Sequence, residues 1–140
     1  MDFETHIDVD ATSEKVWEVV SDVESWPKWT KSMRDVTWLD GAKMGVGSRA
    51  RIRQPAQPPL VWQVSSLNPG KSFTWQATSP GVKSVATHRI ESNGVYTKLS
   101  LEMHQTGPAA GVIATLLGKR VRRYMRMEAE GLKRRAETAT

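Results

Sequence analysis

The chain has 140 residues, no cysteine, six tryptophans and a formal net charge of +5 at pH 7. This length fits one domain with a substantial core, and the lack of cysteine excludes disulfides, thiolate metal sites and a cysteine nucleophile. The first residues, Met1-Asp2-Phe3-Glu4, lack the cationic start and apolar stretch of a signal peptide, and no run approaches the roughly 18 apolar residues of a membrane span, so we expect a soluble, cytoplasmic protein.

The beginning of the chain predicts one strand and two short helices. Residues 3–9 alternate between apolar and polar side chains, as in a strand with one solvated face. Capping residues at 10–14 precede an amphipathic helix around residues 16–20. Residues 22–30 predict a second short helix, which Pro27 interrupts.

The middle of the chain predicts six more strands. Each has an alternating pattern, and the strands are separated by turn-forming glycine, proline and asparagine residues. The predicted strands cover residues 36–38, 48–54, 60–67, 73–77, 82–91 and 96–105.

The end of the chain, from Gly107-Pro108 onward, has a helical pattern. Its least basic stripe contains Val112, Leu116 or Leu117, Val121, Tyr124, Glu128 and Leu132. An antiparallel sheet with one apolar face can bury that face by curling around this single long helix. One helix cannot fill a strongly curved sheet, so the sequence predicts an α+β fold with an apolar pocket between sheet and helix.

Several segments carry a resemblance to a known family. They are Ile7-Asp8-Val9-Asp10-Ala11, Val16-Trp17, residues 22–29 (DVESWPKW), Gly45-Val46-Gly47-Ser48, Trp62-Gln63-Val64, Phe73-Thr74-Trp75, His88-Arg89-Ile90-Glu91 and residues 128–133 (EAEGLK). With the order of the elements, they resemble the START-like (helix-grip, SRPBCC) superfamily and, within it, the polyketide cyclase/dehydrase-like group. The resemblance implies a single domain over residues 1–140, with a seven-stranded curved antiparallel sheet wrapped around a long C-terminal helix and two short helices after the first strand. It implies a fold more than an activity, because the superfamily lends one cavity to lipid carriers, hormone receptors and cyclases.

Eight residues are predicted to line the pocket and bind a ligand. By alternation or helical spacing they face the inside of the fold: Trp38, Ile52, Trp62, Trp75, His88, Met103, Leu116 and Tyr124. Trp17, Trp26 and Trp29 are expected instead to join the short helices to the sheet. Glu128, on the helix stripe, is expected to pair with a basic residue at the rim.

His88 is the polar residue of greatest interest, because it alternates with Ala86 and Ile90 on the predicted inner face. Two interpretations stay open: a structural histidine bonded to a backbone carbonyl, or a polar group that orients a ligand or moves a proton. The sequence assigns it no acidic partner. His6 and His104 fall on the opposite, polar faces of their strands, so the three histidines do not predict a metal site. No sequence motif indicates a cofactor, a catalytic triad or a phosphate-binding loop.

The sequence favours binding of a small hydrophobic ligand, of an aromatic, polyketide-like or lipid type. A cyclase/dehydrase-type enzyme using the same cavity is the first alternative. A lipid carrier that docks on anionic membranes is the second, because residues 108–137 carry eight basic and three acidic residues and thus the whole net charge. The sequence favours a solvated outer face for these cations. It predicts no nucleic-acid partner, since stacking aromatic residues and recognised motifs are absent beside them.

Overall fold

Strands and helices follow one another in the predicted order. The computed structural model describes residues 2–41, 43–55 and 57–138. Its elements are β1 (Asp2–Val9), α1 (Ser13–Ser21), a 3-10 helix (Val23–Lys28), β2 (Asp35–Trp38), β3 (Arg49–Arg53), β4 (Leu60–Asn68), β5 (Ser72–Ser79), β6 (Val82–Ser92), β7 (Thr97–Thr106) and α2 (Ala110–Thr138).

The strands form one antiparallel sheet in the order β1-β7-β6-β5-β4-β3-β2. Neighbours in the sheet are consecutive in sequence, except that β1, the first strand, pairs with β7, the last. The register between β4 and β5 shifts between Val64 and Ser66, a bulge of the kind that bends a sheet. The sheet curves around α2, which confirms the predicted helix-grip fold.

The second short helix is present as predicted and is of the 3-10 type. Residues 23–28 form a 3-10 helix that contains Pro27, whose ring nitrogen cannot donate a helical hydrogen bond. At the end of this helix the backbone amides of Trp29 and Thr30 both donate hydrogen bonds to the carbonyl of Trp26, at 3.1 Å each. The segment therefore remains a short 3-10 helix and does not continue as an α-helix.

The tryptophans of the short helices pack between these helices and the sheet, as predicted. Trp26 is fully buried, and its indole N–H donates to a backbone carbonyl of α1 at 3.2 Å. Its ring contacts those of Trp29, Phe73 and Trp75, while Trp17 meets Phe73 edge-on. Trp75, which belongs to this aromatic cluster, also lines the cavity described below.

The rotation of α2 about its own axis is set by its C-terminal half. Gly131 lies so close to Trp29 that a Cβ at this position would be 2.3 Å from the Trp29 carbonyl oxygen. Ala129 and Leu132 beside it are completely buried. With Gly131 held against Trp29, helical geometry decides which side chains of the N-terminal half point inward.

The turn between β5 and β6 is held against the start of α2. The amide of Ala109 donates to the carbonyl of Gly81 at 2.9 Å. Gly107 has a φ of +113°, and a Cβ there would lie 2.5 Å from the same carbonyl oxygen, so only glycine fits. Among the described residues, no helix combines the length and the apolar character needed to cross a bilayer.

Candidate functional site

A cavity of about 530 Å³ lies between the concave face of the sheet and the N-terminal half of α2. Its walls are mainly aliphatic and aromatic, and β3 to β7 each contribute side chains to it. The lining residues include Met33, Ile52, Leu60, Trp62, Trp75, Val82, Ala86, His88, Leu101, Met103, Ile113, Leu117, Val121, Tyr124, Met125 and Glu128. Volumes of this order are typical of sites that enclose small organic molecules.

Six of the eight residues predicted for the pocket line this cavity. They come from five different strands and from α2, and the fold brings them together as the alternation pattern indicated: Ile52, Trp62, Trp75, His88, Met103 and Tyr124. Their role in binding a ligand stays a prediction.

Trp38 does not line the cavity, and its predicted position is corrected. It pairs with Ala50 and so lies on the expected face of the sheet. However, β2 is the edge strand, and there Trp38 borders a separate, smaller depression with Trp17, Met44 and Leu67. Alternation gives the face of the sheet on which a side chain lies, but not whether the side chain reaches a pocket on that face.

Leu116 is also wrongly predicted, because its side chain points away from the cavity and is 74% exposed. Leu117 lines the cavity instead. The stripe pattern permitted either leucine, and the packing of Gly131 against Trp29 selects the second. For the same reason Val112 is 60% exposed, while Ile113 points inward.

The polar centre of the cavity is an ion pair or hydrogen bond between His88 on β6 and Glu128 on α2. The His88 Nε2 and Glu128 Oε2 atoms are 2.8 Å apart, and the two side chains are 5% and 12% exposed. Glu128 therefore pairs with an inward-facing histidine and not with a base at the rim, which corrects the prediction. His88 also has the acidic partner that the sequence did not assign.

The His88 ring is fixed by aromatic neighbours. It stacks on Phe73 with the ring centroids 4.5 Å apart and the planes 4° from parallel, and the rings of Trp26 and Trp75 surround it. Within the described residues, the buried Nδ1 atom has no hydrogen-bond partner. The contact with Glu128 therefore runs through Nε2, whose N–H donates a hydrogen bond to the carboxylate.

The hydrogen bond from His88 holds the Glu128 carboxylate in place within a mostly apolar cavity. Oε2 accepts the hydrogen bond from His88, and the side chain remains in contact with the cavity. A carboxylate has two oxygens and about four lone-pair positions, so Glu128 can accept a further hydrogen bond from a molecule inside the cavity. With His88 beside it, it can also take up a proton.

Two further contacts shape the cavity. The Tyr124 hydroxyl donates to the carbonyl of Pro55 at 3.0 Å, which ties the β3–β4 loop to α2. Ser84 and Gln105, both buried, meet across β6 and β7 with Gln105 Nε2 donating to Ser84 Oγ at 3.2 Å. Ser84 and Gln105 add polar groups to the lining.

Several lining residues were missed at the level of sequence, and four of the omitted residues had a usable signal. Val82, Ser84 and Ala86 alternate with His88 along β6, so the pattern that selected His88 also indicates them. Leu101 precedes Met103 by two residues in the same way. The inward position of Met33, which lies in a loop before β2, has no such signal because loops lack a period.

The histidines are distributed as the alternation predicts. His6 and His104 are exposed on the outer face, and His88 is buried. Within residues 2–41, 43–55 and 57–138, no three histidine, aspartate or glutamate side chains converge on a point where they could hold a metal ion.

Comparison with known proteins adds to this geometry. Over residues 1–137 the sequence matches the family described as polyketide cyclase / dehydrase and lipid transport. No curated protein matches the sequence significantly.

Solved structures share the fold. The chain is similar to the Zhui aromatase/cyclase from a Streptomyces species, with a TM-score of 0.79 and 21% identity over 98% of this chain and 93% of that one. A protein from Thermus thermophilus has a TM-score of 0.80 and 17% identity, with 100% and 99% of the two chains covered. A protein of the dynemicin biosynthetic locus has a TM-score of 0.72 and 17% identity, covering 99% of this chain and 48% of that one. Identities this low establish the fold alone, whereas the family match spans nearly the whole sequence, and the chain therefore belongs to the polyketide cyclase/dehydrase and lipid transport family.

Proposed function

We propose that the protein binds a small, largely hydrophobic molecule that carries at least one hydrogen-bond donor, such as a phenol or another hydroxyl. The observation that carries this proposal is the placement of the buried His88–Glu128 pair in a mostly apolar cavity of about 530 Å³. The apolar walls supply most of the affinity, because they are shielded from water when a ligand enters. The pair supplies orientation.

The donor on the ligand follows from the chemistry of Glu128. Its carboxylate only accepts hydrogen bonds when ionised, and an apolar ligand without a donor would remove water from it without replacing the lost hydrogen bond. Such a loss is unfavourable by about 1–3 kcal/mol. The cavity therefore discriminates between a hydroxylated ring system and the corresponding hydrocarbon.

The same observation favours a second candidate, an enzyme of the cyclase/dehydrase type. A carboxylate held by a histidine, in a cavity with little water, is suited to removing a proton next to a carbonyl group. When the carboxyl group then returns this proton to the hydroxyl group on the neighbouring carbon, the C–O bond breaks, a C=C bond forms between the two carbons and one water molecule leaves. The family description and the fold shared with the Zhui aromatase/cyclase support this candidate.

Binding in the cavity can be tested with an anilinonaphthalene dye and two neighbouring leucines. Leu117 lines the cavity and Leu116 is exposed beside it. Leu117→Trp should fill part of the cavity and weaken dye binding by about tenfold, which corresponds to about 1.4 kcal/mol, while Leu116→Trp should leave it unchanged. Equal affinities for the two variants, at equal thermal stability, would contradict binding in this cavity.

Glu128→Gln separates a binding protein from an enzyme. Glutamine keeps an oxygen that can accept from His88 and from a ligand, so affinity for a hydroxylated naphthalene should change by less than about fivefold if Glu128 only orients the ligand. An enzyme should lose about a hundredfold or more in rate, measured by ultraviolet absorbance as a β-hydroxy aryl ketone dehydrates to its conjugated enone. If neither the protein nor the variant accelerates this reaction while the dye binds, the binding function stands alone.

A further inference from the structure

The first half of α2 has an outer face on which aliphatic side chains and cations adjoin. Val112 and Leu116 are 60% and 74% exposed, and Lys119 and Arg123 follow at helical spacing on the same side, also exposed. Arg120 borders them. We call these five residues the α2 outer face.

The cations of the α2 outer face are not neutralised by the protein itself. No acidic residue occurs in the sequence between Glu102 and Glu128. Within the described part of the chain, Lys119, Arg120 and Arg123 take part in no ion pair. Further along α2 the situation differs, because Arg126 and Lys133 each pair with a glutamate four residues on.

The cavity opens beside this surface. Ile113 and Leu117 line the cavity, and each directly follows an exposed aliphatic residue of the α2 outer face. The neighbouring turns add prolines that are exposed and also line the cavity: Pro58, Pro59 and Pro80. The turn that contains Pro80 is held at the start of α2 by the hydrogen bond from Ala109 to Gly81. An apolar rim therefore connects the mouth of the cavity with the α2 outer face.

We propose that the α2 outer face docks the protein on an anionic phospholipid bilayer. Val112 and Leu116 insert between the lipids, while Lys119, Arg120 and Arg123 bind the phosphate and carboxylate groups of the head groups. A partner that offered only negative charge, such as a nucleic acid or an acidic protein surface, would make no use of the two aliphatic side chains. The charge complementarity and the aliphatic pair together favour a bilayer.

Docking in this orientation places the mouth of the cavity on the membrane surface, where a hydrophobic molecule can pass between bilayer and protein without crossing water. The helix lies along the interface and does not span the membrane. This inference goes beyond ligand binding and is independent of it, since the α2 outer face and the cavity use different side chains.

Vesicle flotation of the full chain tests the proposal. The protein should bind vesicles of phosphatidylcholine with about 30% phosphatidylserine, and about tenfold less to phosphatidylcholine alone. Lys119→Glu/Arg123→Glu should reduce binding to the anionic vesicles by at least about tenfold. The matched control is Arg134→Glu/Arg135→Glu, which makes the same charge change at exposed positions of the same helix far from the cavity mouth, and it should bind like the unaltered protein at about 150 mM salt, where screening extends over about 8 Å.

A variant of Val112 and Leu116 distinguishes docking on a bilayer from recognition of negative charge alone. Val112→Ser/Leu116→Ser leaves every charge in place and should still lower vesicle binding by about fivefold or more, because the insertion of two aliphatic side chains is lost. If this variant binds as well as the unaltered protein, the surface recognises charge alone and the bilayer proposal is overturned. Equal loss in the control variant would overturn it too. The dye titration of the cavity should be unchanged in all three variants, so a failure of docking is distinguishable from a failure of ligand binding.

Discussion

The two halves of α2 do different work although they belong to one continuous helix. In residues 125–138 most inward side chains are sealed, with Met125, Glu128, Ala129, Gly131, Leu132 and Ala136 all buried, whereas among residues 110–121 only Ala110 and Gly118 are. The C-terminal half packs against Trp29 and buries Ala129 and Leu132, and the N-terminal half covers a cavity. A helix-grip domain can therefore be held together by one part of its long helix, which leaves the other part available for a ligand.

Glu128 lies where the two halves meet, and the largest effect is expected from breaking its contact with His88. His88→Leu should lower the free energy of unfolding by about 3 kcal/mol, because the Glu128 carboxylate would stay buried without its partner. The double variant His88→Leu/Glu128→Leu should be more stable than the sum of the two single variants implies, since it removes the unpaired charge as well. Urea unfolding of the four proteins measures this coupling, and additive effects would show that the pair contributes nothing.

The glycines of α2 offer a direct comparison of its two halves. A Cβ at position 131 would lie 2.3 Å from the Trp29 carbonyl oxygen and 2.9 Å from its ring, whereas a Cβ at position 111 meets nothing within 4 Å. Gly131→Ala should therefore destabilise the protein by about 1–3 kcal/mol through overpacking, and Gly111→Ala should stabilise it by up to about 1 kcal/mol through helix propensity. If thermal unfolding shifts both variants in the same direction, the proposed difference between the halves is wrong.

The smallest effect is expected at the C-terminal end of α2, where Glu137 connects this helix to the residue that follows β1. Its carboxylate accepts from Lys133 Nζ at 2.6 Å and from the Asp10 amide at 2.7 Å, and these contacts hold the pKa of Glu137 below its ordinary value of 4.5. A lowered pKa stabilises the folded protein above that value, and the stabilisation is lost as the pH falls through the lower, folded-state pKa.

Glu137→Gln should consequently cost about 0.5–1 kcal/mol at neutral pH, and the difference from the unaltered protein should shrink as the solution is acidified. Urea unfolding at neutral pH and at about pH 3 measures this. Glu91→Gln is a suitable control, because Glu91 is exposed and has no ion pair within the described residues. A pH-independent difference between Glu137→Gln and the unaltered protein would mean that Glu137 acts through packing and not through its charge.

Much of the candidate site could be predicted from local patterns. Ile52, Trp62, Trp75, His88 and Met103 were placed correctly on the inner face, because a strand turns its side chains to alternate sides whatever surrounds it. The errors are of another kind. Trp38 lies on the predicted face but on the edge strand β2, outside the cavity, and Leu116 was chosen over Leu117 where the helical stripe permitted both.

Local periodicity predicts the number and order of the strands, the long basic helix and the inward position of His88, since a few neighbouring residues establish each pattern. The rotation of α2 could not be predicted in this way, because it depends on Gly131 meeting Trp29, two residues more than a hundred positions apart in the chain. This one contact turns Leu117 inward and Leu116 outward, and it brings Glu128 to His88. The apolar stripe of a helix is compatible with several small rotations of the helix about its own axis. The close approach of a glycine to a backbone carbonyl permits only one of them.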